Sequence, residues 1–219
     1  MTTMVSYLKR AHRRSRYAAS GLALRQRRRS VQHVLERFDP PYRLNLGCGD
    51  IPFSGWVNID LDNTSGKADL EWDLTQGLPV PDASCEFIYC EHFLEHLAVP
   101  DGVALLRECR RALQPGGVLR VAMPSLDNLI RKACCGDWRD QDWLTWPGSQ
   151  FIQTRAEMLN VAFRWWGHQW LYDQEELDRR LREAGWEQFT PVEWGDSGYP
   201  PLRERETRAD SLLIFEARR

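Results

Sequence analysis

Apolar positions along this chain switch repeatedly between runs suited to strands and spacings suited to helices. Arg43 to Leu46 reads as a short strand that runs into a glycine turn. Trp56 to Leu61 reads as a second strand, and the stretch around Ala68 to Trp72 as a third. The turn-like Pro81-Asp82-Ala83-Ser84 precedes a fourth, Glu86 to Cys90. Val103, Leu105, Leu106, Cys109 and Leu113 then fall at helical spacing, and Pro115-Gly116-Gly117 closes that helix before a fifth strand, Val118 to Met123. Farther on, Asp173 with Glu176 three residues later has the form of a capping box. Leu177, Leu181 and Ala184 share the face of the helix it opens, and Gly185 ends it. Trp186 to Trp194 and Ser211 to Ala217 supply two last strands. Strands alternating with helices predict an α/β fold: a doubly wound, Rossmann-like sheet of seven strands, the last antiparallel.

The first 41 residues follow a different rule and predict a helical N-terminal extension. Two helices broken at Ser20-Gly21 are expected, with Val31, Val34, Leu35 and Phe38 forming one apolar stripe that docks on the domain. Asp39-Pro40-Pro41 ends the second helix. The domain proper is expected over residues 42–219. Charge sharpens the division. The formal net charge is -2, yet residues 1–43 carry 11 Lys/Arg against only Glu36 and Asp39, so the remainder is acidic. A global argument for nucleic-acid binding is closed. The arginine-rich start suits a solvated helix face, with contact to an anionic lipid surface or an acidic partner as alternatives.

Six cysteines occur without a CxxC pair, several inside apolar runs, which argues against a disulfide framework and for a reducing, cytoplasmic compartment, with peripheral membrane association the alternative. No apolar run is long enough to span a bilayer. A monomer or a homodimer is equally compatible with the sequence.

The chemistry concentrates after the first strand. Leu44-Asn45-Leu46-Gly47-Cys48-Gly49-Asp50 sets Gly-x-Gly where a backbone must turn tightly and approach a ligand. Asp60 closes the second strand, where its carboxylate can accept from a ribose diol. A dinucleotide site needs a third glycine and an acidic residue about 20 positions on. Here the third glycine is absent and the acid comes sooner, so a nucleoside without phosphates fits better.

With Trp72-Asp73-Leu74, Phe87-Ile88-Tyr89-Cys90-Glu91-His92 and Leu113-Gln114-Pro115-Gly116-Gly117, these pieces resemble the successive motifs of class I S-adenosylmethionine-dependent methyltransferases. The resemblance is greatest to the small type 11 group, and the late Trp170-Leu171-Tyr172-Asp173 and Ala184-Gly185-Trp186 belong to it. It implies S-adenosylmethionine as cofactor. It places Asn45, Gly47, Cys48 and Gly49 at the methionine and ribose end, Asp60 and Leu61 at the ribose, Asp73 and Leu74 at the adenine, and Glu91 near the sulfonium. The family's usual acidic residue before the first glycine is here Asn45.

A second motif overlaps the first. His92-Phe93-Leu94-Glu95-His96 matches the H-x-x-E-H of inverted zinc peptidases. On a helix, His92 and His96 would share a face, Glu95 would serve as base, and Glu175 or Glu176 would be a third ligand. Its position directly after a strand, inside a nucleoside frame, ranks zinc hydrolysis far behind methyl transfer, and no metal is expected.

Methyl transfer from a sulfonium is an in-line displacement, so the protein mainly aligns acceptor, methyl and sulfur. His92 and His96 are the candidate bases for an acceptor that must lose a proton. Residues 136–172 hold six of ten tryptophans, and read equally as a lid over the cleft or as a satellite core. Asp127, Asn128, Arg164, Trp166 and His168 are the candidate acceptor contacts. The expected acceptor is a small molecule or a glycan, the glycan by analogy with similar proteins; a cofactor-binding regulatory scaffold is the alternative.

Overall fold

The computed structural model describes residues 30–219, so the first expected helix, the start of the second and most of the arginine-rich face lie outside the described residues, while residues 30–35 of the second are helical. Seven strands form one sheet: β1 (Tyr42–Leu46), β2 (Val57–Asp60), β3 (Leu70–Glu71), β4 (Cys85–Glu91), β5 (Leu113–Met123), β6 (Gln188–Pro191) and β7 (Leu213–Arg218). Their order across the sheet is β3-β2-β1-β4-β5-β7-β6. The first five run parallel, and β7 is antiparallel to both neighbours, as expected. Four helices matter below: α1 (Val99–Ala112), α2 (Leu126–Cys135), α3 (Arg155–Asn160) and α4 (Gln174–Glu183).

The central strands are continuous apolar runs because both faces of a parallel sheet are covered. All four residues of β2 are buried, and Leu44, Leu46, Ile59, Ile88 and Val121 sit in the main core. Val31 and Leu35 join that core, with Val34 and Phe38 packed against it, so the predicted stripe docks where the sequence places it.

Three local expectations change. β5 begins at Leu113 and includes Pro115-Gly116-Gly117, because its pairing with β4 shifts between Cys85↔Leu113 and Phe87↔Val118; the turn is absorbed as an irregularity of the strand. β3 shrinks to two residues and β6 to four, with single backbone hydrogen bonds from Asp69, Trp72 and Val192 to the neighbouring strands at their flanks. At α4 only half of the capping box forms. Asp173 accepts from Glu176 N at 2.8 Å, but the Glu176 carboxylate turns to Arg180 and Trp170. The reciprocal box is instead at Thr154 and Glu157, opening α3.

The long connection from β6 to β7 is bolted to the sheet from beneath. Arg120, fully buried on β5, donates to Glu206 at 2.6 Å, to Glu216 at 2.7 Å and to the Asp196 carbonyl at 2.7 Å. A buried guanidinium is tolerable only when paired in this way. The result is to deliver Arg208, Asp210 and Ser211 to the carboxyl edge of the sheet.

Candidate active site

In an open parallel sheet, ligands bind beyond the carboxyl ends of the strands where the strand order reverses. Here that point lies between β1 and β4. Gly47 follows β1, Asp60 ends β2, His92 follows β4 and Pro124 follows β5. A cavity of about 250 Å³ opens among them. One side is Gly47, Gly49 and Asp60; the floor is His92, Phe93 and His96; the far side is Ser125, Asn128, Gln141, Trp143, Trp146, Trp166 and His168, with Arg208 and Asp210 at the edge.

The glycine turn is fixed by its own backbone. Gly47 N and Cys48 N both donate to the Ile59 carbonyl, and Gly49 N donates to Asp60 Oδ2 at 2.9 Å. Gly47 has φ +67°, and a side-chain carbon there would stand 2.5 Å from the Phe93 ring, so this position requires glycine twice over. Asp60 Oδ1 accepts from Asp62 N at 2.9 Å. Each carboxylate oxygen keeps a second lone pair for a ribose hydroxyl. Residues 47–56 contain no helix, so the glycine turn does not run into a helix N-terminus of the kind that holds a pyrophosphate in a dinucleotide fold. These residues fit an adenosine-bearing cofactor without phosphates: Gly47 and Gly49 would admit it closely, and Asp60 would hold its ribose.

Several expected cofactor residues do other work. Asn45 is buried and donates to the Ile51 carbonyl and to Asn58 Oδ1, both at 3.1 Å, so it braces the turn from behind. Cys48 is buried outside the cavity lining, and burial with Asp60 nearby pushes its thiol up to about 12. Leu61 does not border the cavity either. Asp73 caps a short 3-10 turn through Thr75, lining a separate groove with Trp72 and residues 31–42, while Leu74 is in the core. Glu91 is the clearest correction. Its carboxylate accepts from Thr207 N, Thr207 Oγ1, Arg208 N and Ser211 Oγ, which ties β4 to the connection before β7 and turns the charge away from the cavity.

The histidine motif also differs from its helical expectation. His92 stands at φ +48°, directly after β4, and Leu94–His96 form a 3-10 turn, so His92 and His96 do not share a helix face. Glu176 pairs with Arg180 and Glu175 lies on the exposed side of α4, which removes the third ligand of the peptidase arrangement. His92 Nε2 is 3.1 Å from Ser211 Oγ, whose proton goes to Glu91. The Nε2 therefore carries the hydrogen, and Nδ1 offers its lone pair toward Glu95 Oε1 at 3.5 Å. Burial drops His92 to about 2 and lifts the wholly buried Glu95 to about 8.

Of the residues expected to contact an acceptor, Asn128, Trp166 and His168 border the cavity, whereas Asp127 and Arg164 are exposed and outside it. Both point to solvent because their helical faces oppose the satellite core of Leu129, Ala133, Trp138, Trp143, Ile152, Met158, Val161 and Ala162. The aromatic segment is thus lid and core at once: Trp143 belongs to that core and also faces the cavity. Phe93, Gln141, Arg208 and Asp210 carry no sequence signal and were reached only through packing. Gln141 is notable, since its buried Nε2 has no hydrogen-bond partner among the described residues.

Among known proteins, residues 57–121 match the family model Methyltransf_11, a methyltransferase domain. No curated protein matches the chain. Its fold is similar to a methyltransferase of Thermotoga maritima described as S-adenosylmethionine-dependent and as a possible histamine N-methyltransferase. The two are 17% identical, with 86% of each chain covered and a TM-score of 0.51. An S-adenosylmethionine-dependent methyltransferase of Archaeoglobus fulgidus, also 17% identical, covers 88% of this chain and 94% of its own at a TM-score of 0.49. The matched residues 57–121 run from β2 through most of β5, so the part of the chain that resembles a methyltransferase domain is the part of the sheet that borders this cleft.

Proposed function

We propose that the chain methylates a polar acceptor, a small molecule or a sugar unit, held between the glycine turn and the aromatic wall. One observation carries this reading: a single cavity is bordered on one side by Gly47, Gly49 and Asp60 and on the other by Trp143, Trp146 and Trp166. Aromatic faces take up rings or the apolar faces of sugars, and Asn128 with the unpartnered Gln141 amide supplies directed hydrogen bonds. Asp60 and the glycine backbone would hold S-adenosylmethionine, which supplies the methyl group when bound, and the aromatic wall would hold the acceptor for an in-line displacement. The methyl–sulfur bond breaks as the methyl–acceptor bond forms, and a hydroxyl acceptor also gives up its proton.

His96 and Asp210 both border the acceptor space, and Asp210 is the candidate to take that proton. His92 is not, although it borders the cavity, because its two nitrogens are directed at Ser211 and Glu95. Its role is to position the floor of the site.

Calorimetry with S-adenosylhomocysteine and a methyl-release assay over hydroxyl, amine and sugar acceptors test the proposal. Asp60→Ala is expected to weaken S-adenosylhomocysteine at least tenfold, about 1.4 kcal/mol. Trp146→Ala is expected to leave that affinity within twofold while raising the acceptor KM. Tight cofactor binding with no methyl release to any acceptor favours the regulatory scaffold instead.

A further inference from the structure

The most conspicuous unanswered feature of the site is the Glu95 carboxylate. It is wholly buried, and neither oxygen has a hydrogen-bond partner among the described residues. A buried carboxylate in that state is costly, and proteins resolve it by neutralisation, pairing or a metal ion. Three imidazoles stand beside it: His92, whose Nδ1 is 3.5 Å from Glu95 Oε1, and the cavity-lining His96 and His168. His168 Nε2 is 4.0 Å from Glu95 Oε1, and the rings of His96 and His168 are 4.8 Å apart in an edge-on arrangement. One ligand atom from each of Glu95, His96 and His168 lies within 4.8 Å of the others.

The surroundings prepare this trio. His168 Nδ1 lies 2.6 Å from the Ala162 carbonyl, which can only accept, so the ring donates there and turns its Nε2 lone pair inward. Ala162 lies in a π-helical turn, Val161–Trp165, the kind of irregularity often found at functional sites. The strand of chain that carries His168 is clipped to the other two residues. Gln169 N and Trp170 N donate to the Glu95 carbonyl at 2.8 and 3.1 Å, and Gln169 Nε2 donates to the His96 carbonyl at 2.6 Å. His96 and His168 both border the cavity, while Glu95 backs it.

We propose that Glu95, His96 and His168 form a binding site for a divalent first-row cation at the floor of the methyl-transfer cavity. Two neutral imidazoles and one carboxylate suit zinc, cobalt or iron, and exclude the all-oxygen preference of calcium and magnesium. Ligands on such an ion stand roughly 3.4 Å apart, so the trio closes on it by small side-chain rotations. The remaining coordination positions open toward the cavity, where water or an oxygen of the acceptor completes the shell. This ligand set is not the H-x-x-E-H set: His168 takes the place that the linear motif gives to His92, whose Nε2 is spent on Ser211. The site stands on its own geometry and does not depend on the identity of the acceptor.

Cobalt(II) titration of the chelator-stripped full chain tests it, followed by visible absorption and by elemental analysis after dialysis. One equivalent per chain is expected, with a ligand-field band. Binding should weaken at least tenfold in Glu95→Gln, His96→Gln and His168→Gln and persist in His92→Gln. Circular dichroism and S-adenosylhomocysteine affinity report whether each variant folds; if any does not, the wild-type spectrum still decides, because cobalt on thiols shows a near-ultraviolet charge-transfer band that a histidine and carboxylate site lacks. Folded, stripped wild type that takes up no cobalt overturns the site and leaves Glu95 as a protonated partner of His92. So does uptake that is equal in all three variants, as a thiol site at Cys134 and Cys135 would give, or uptake lost with His92 but kept without His168.

Discussion

The two walls of the cleft are made of different materials. The cofactor wall is backbone: Gly47, Cys48 and Gly49 are held by the Ile59 carbonyl and the Asp60 carboxylate, and Asn45 braces them from the core. The wall proposed for the acceptor is side chain: tryptophans standing on a small satellite core between α2 and α3, separate from the core under the sheet. A wall of backbone hydrogen bonds tied to parallel strands shares the stability of the whole domain. A wall resting on its own small core can loosen by itself. The first suits an invariant nucleoside, the second an acceptor that differs from one enzyme to the next.

The strongest way to break this contrast is to damage each wall and read the other. Met158 is fully buried in the satellite core. Met158→Ala is expected to cost about 2–5 kcal/mol, confined to the acceptor wall. Hydrogen exchange should rise over residues 126–170 and methyl transfer should fall, with S-adenosylhomocysteine affinity held within twofold. Equal exchange throughout the sheet would show that the walls are one unit.

Gly47→Ala attacks the other wall. The left-handed backbone there costs a residue with a side chain roughly 1–2 kcal/mol, and its carbon would also meet the Phe93 ring. S-adenosylhomocysteine binding should weaken more than tenfold by calorimetry, while the tryptophan fluorescence of the acceptor wall stays unchanged.

The smallest effect is expected away from both. Glu108 accepts from Arg111 and from Leu78 N, and the Arg111 hydrogen bond holds its carboxyl below the usual value. A depressed carboxyl contributes stability above its ordinary pKa and loses it as the pH falls through the folded value. Its partial exposure limits the gain to under about 1 kcal/mol. In urea unfolding, wild type should exceed Glu108→Gln slightly at neutral pH, and the difference should vanish in acid.

The asymmetry between the walls is also an asymmetry in what a sequence discloses. β1, the glycine turn and Asp60 are consecutive or follow a fixed strand rhythm, so local rules place them. Glu91 and Arg164 misled for the same reason: the first is a strand-end carboxylate and the second a cation among aromatics, yet partners far along the chain took one and solvent the other. Glu91 meets Thr207 and Ser211 more than a hundred residues away, and no local pattern encodes that meeting. Likewise, Gln141, Arg208 and Asp210 reach the cavity only because Arg120 fastens the β6–β7 connection and the satellite core sets the angle of the aromatic segment.

By itself, then, the sequence determined the doubly wound sheet, its antiparallel seventh strand and the glycine turn with Asp60 at one end of the cleft, because periodicity and backbone conformation are local properties. Only the tertiary structure decided which polar groups face the cavity, and that Glu95 and His96 meet His168 while His92 turns to Ser211. Burial and pairing are set by residues that are neighbours in space and strangers in sequence.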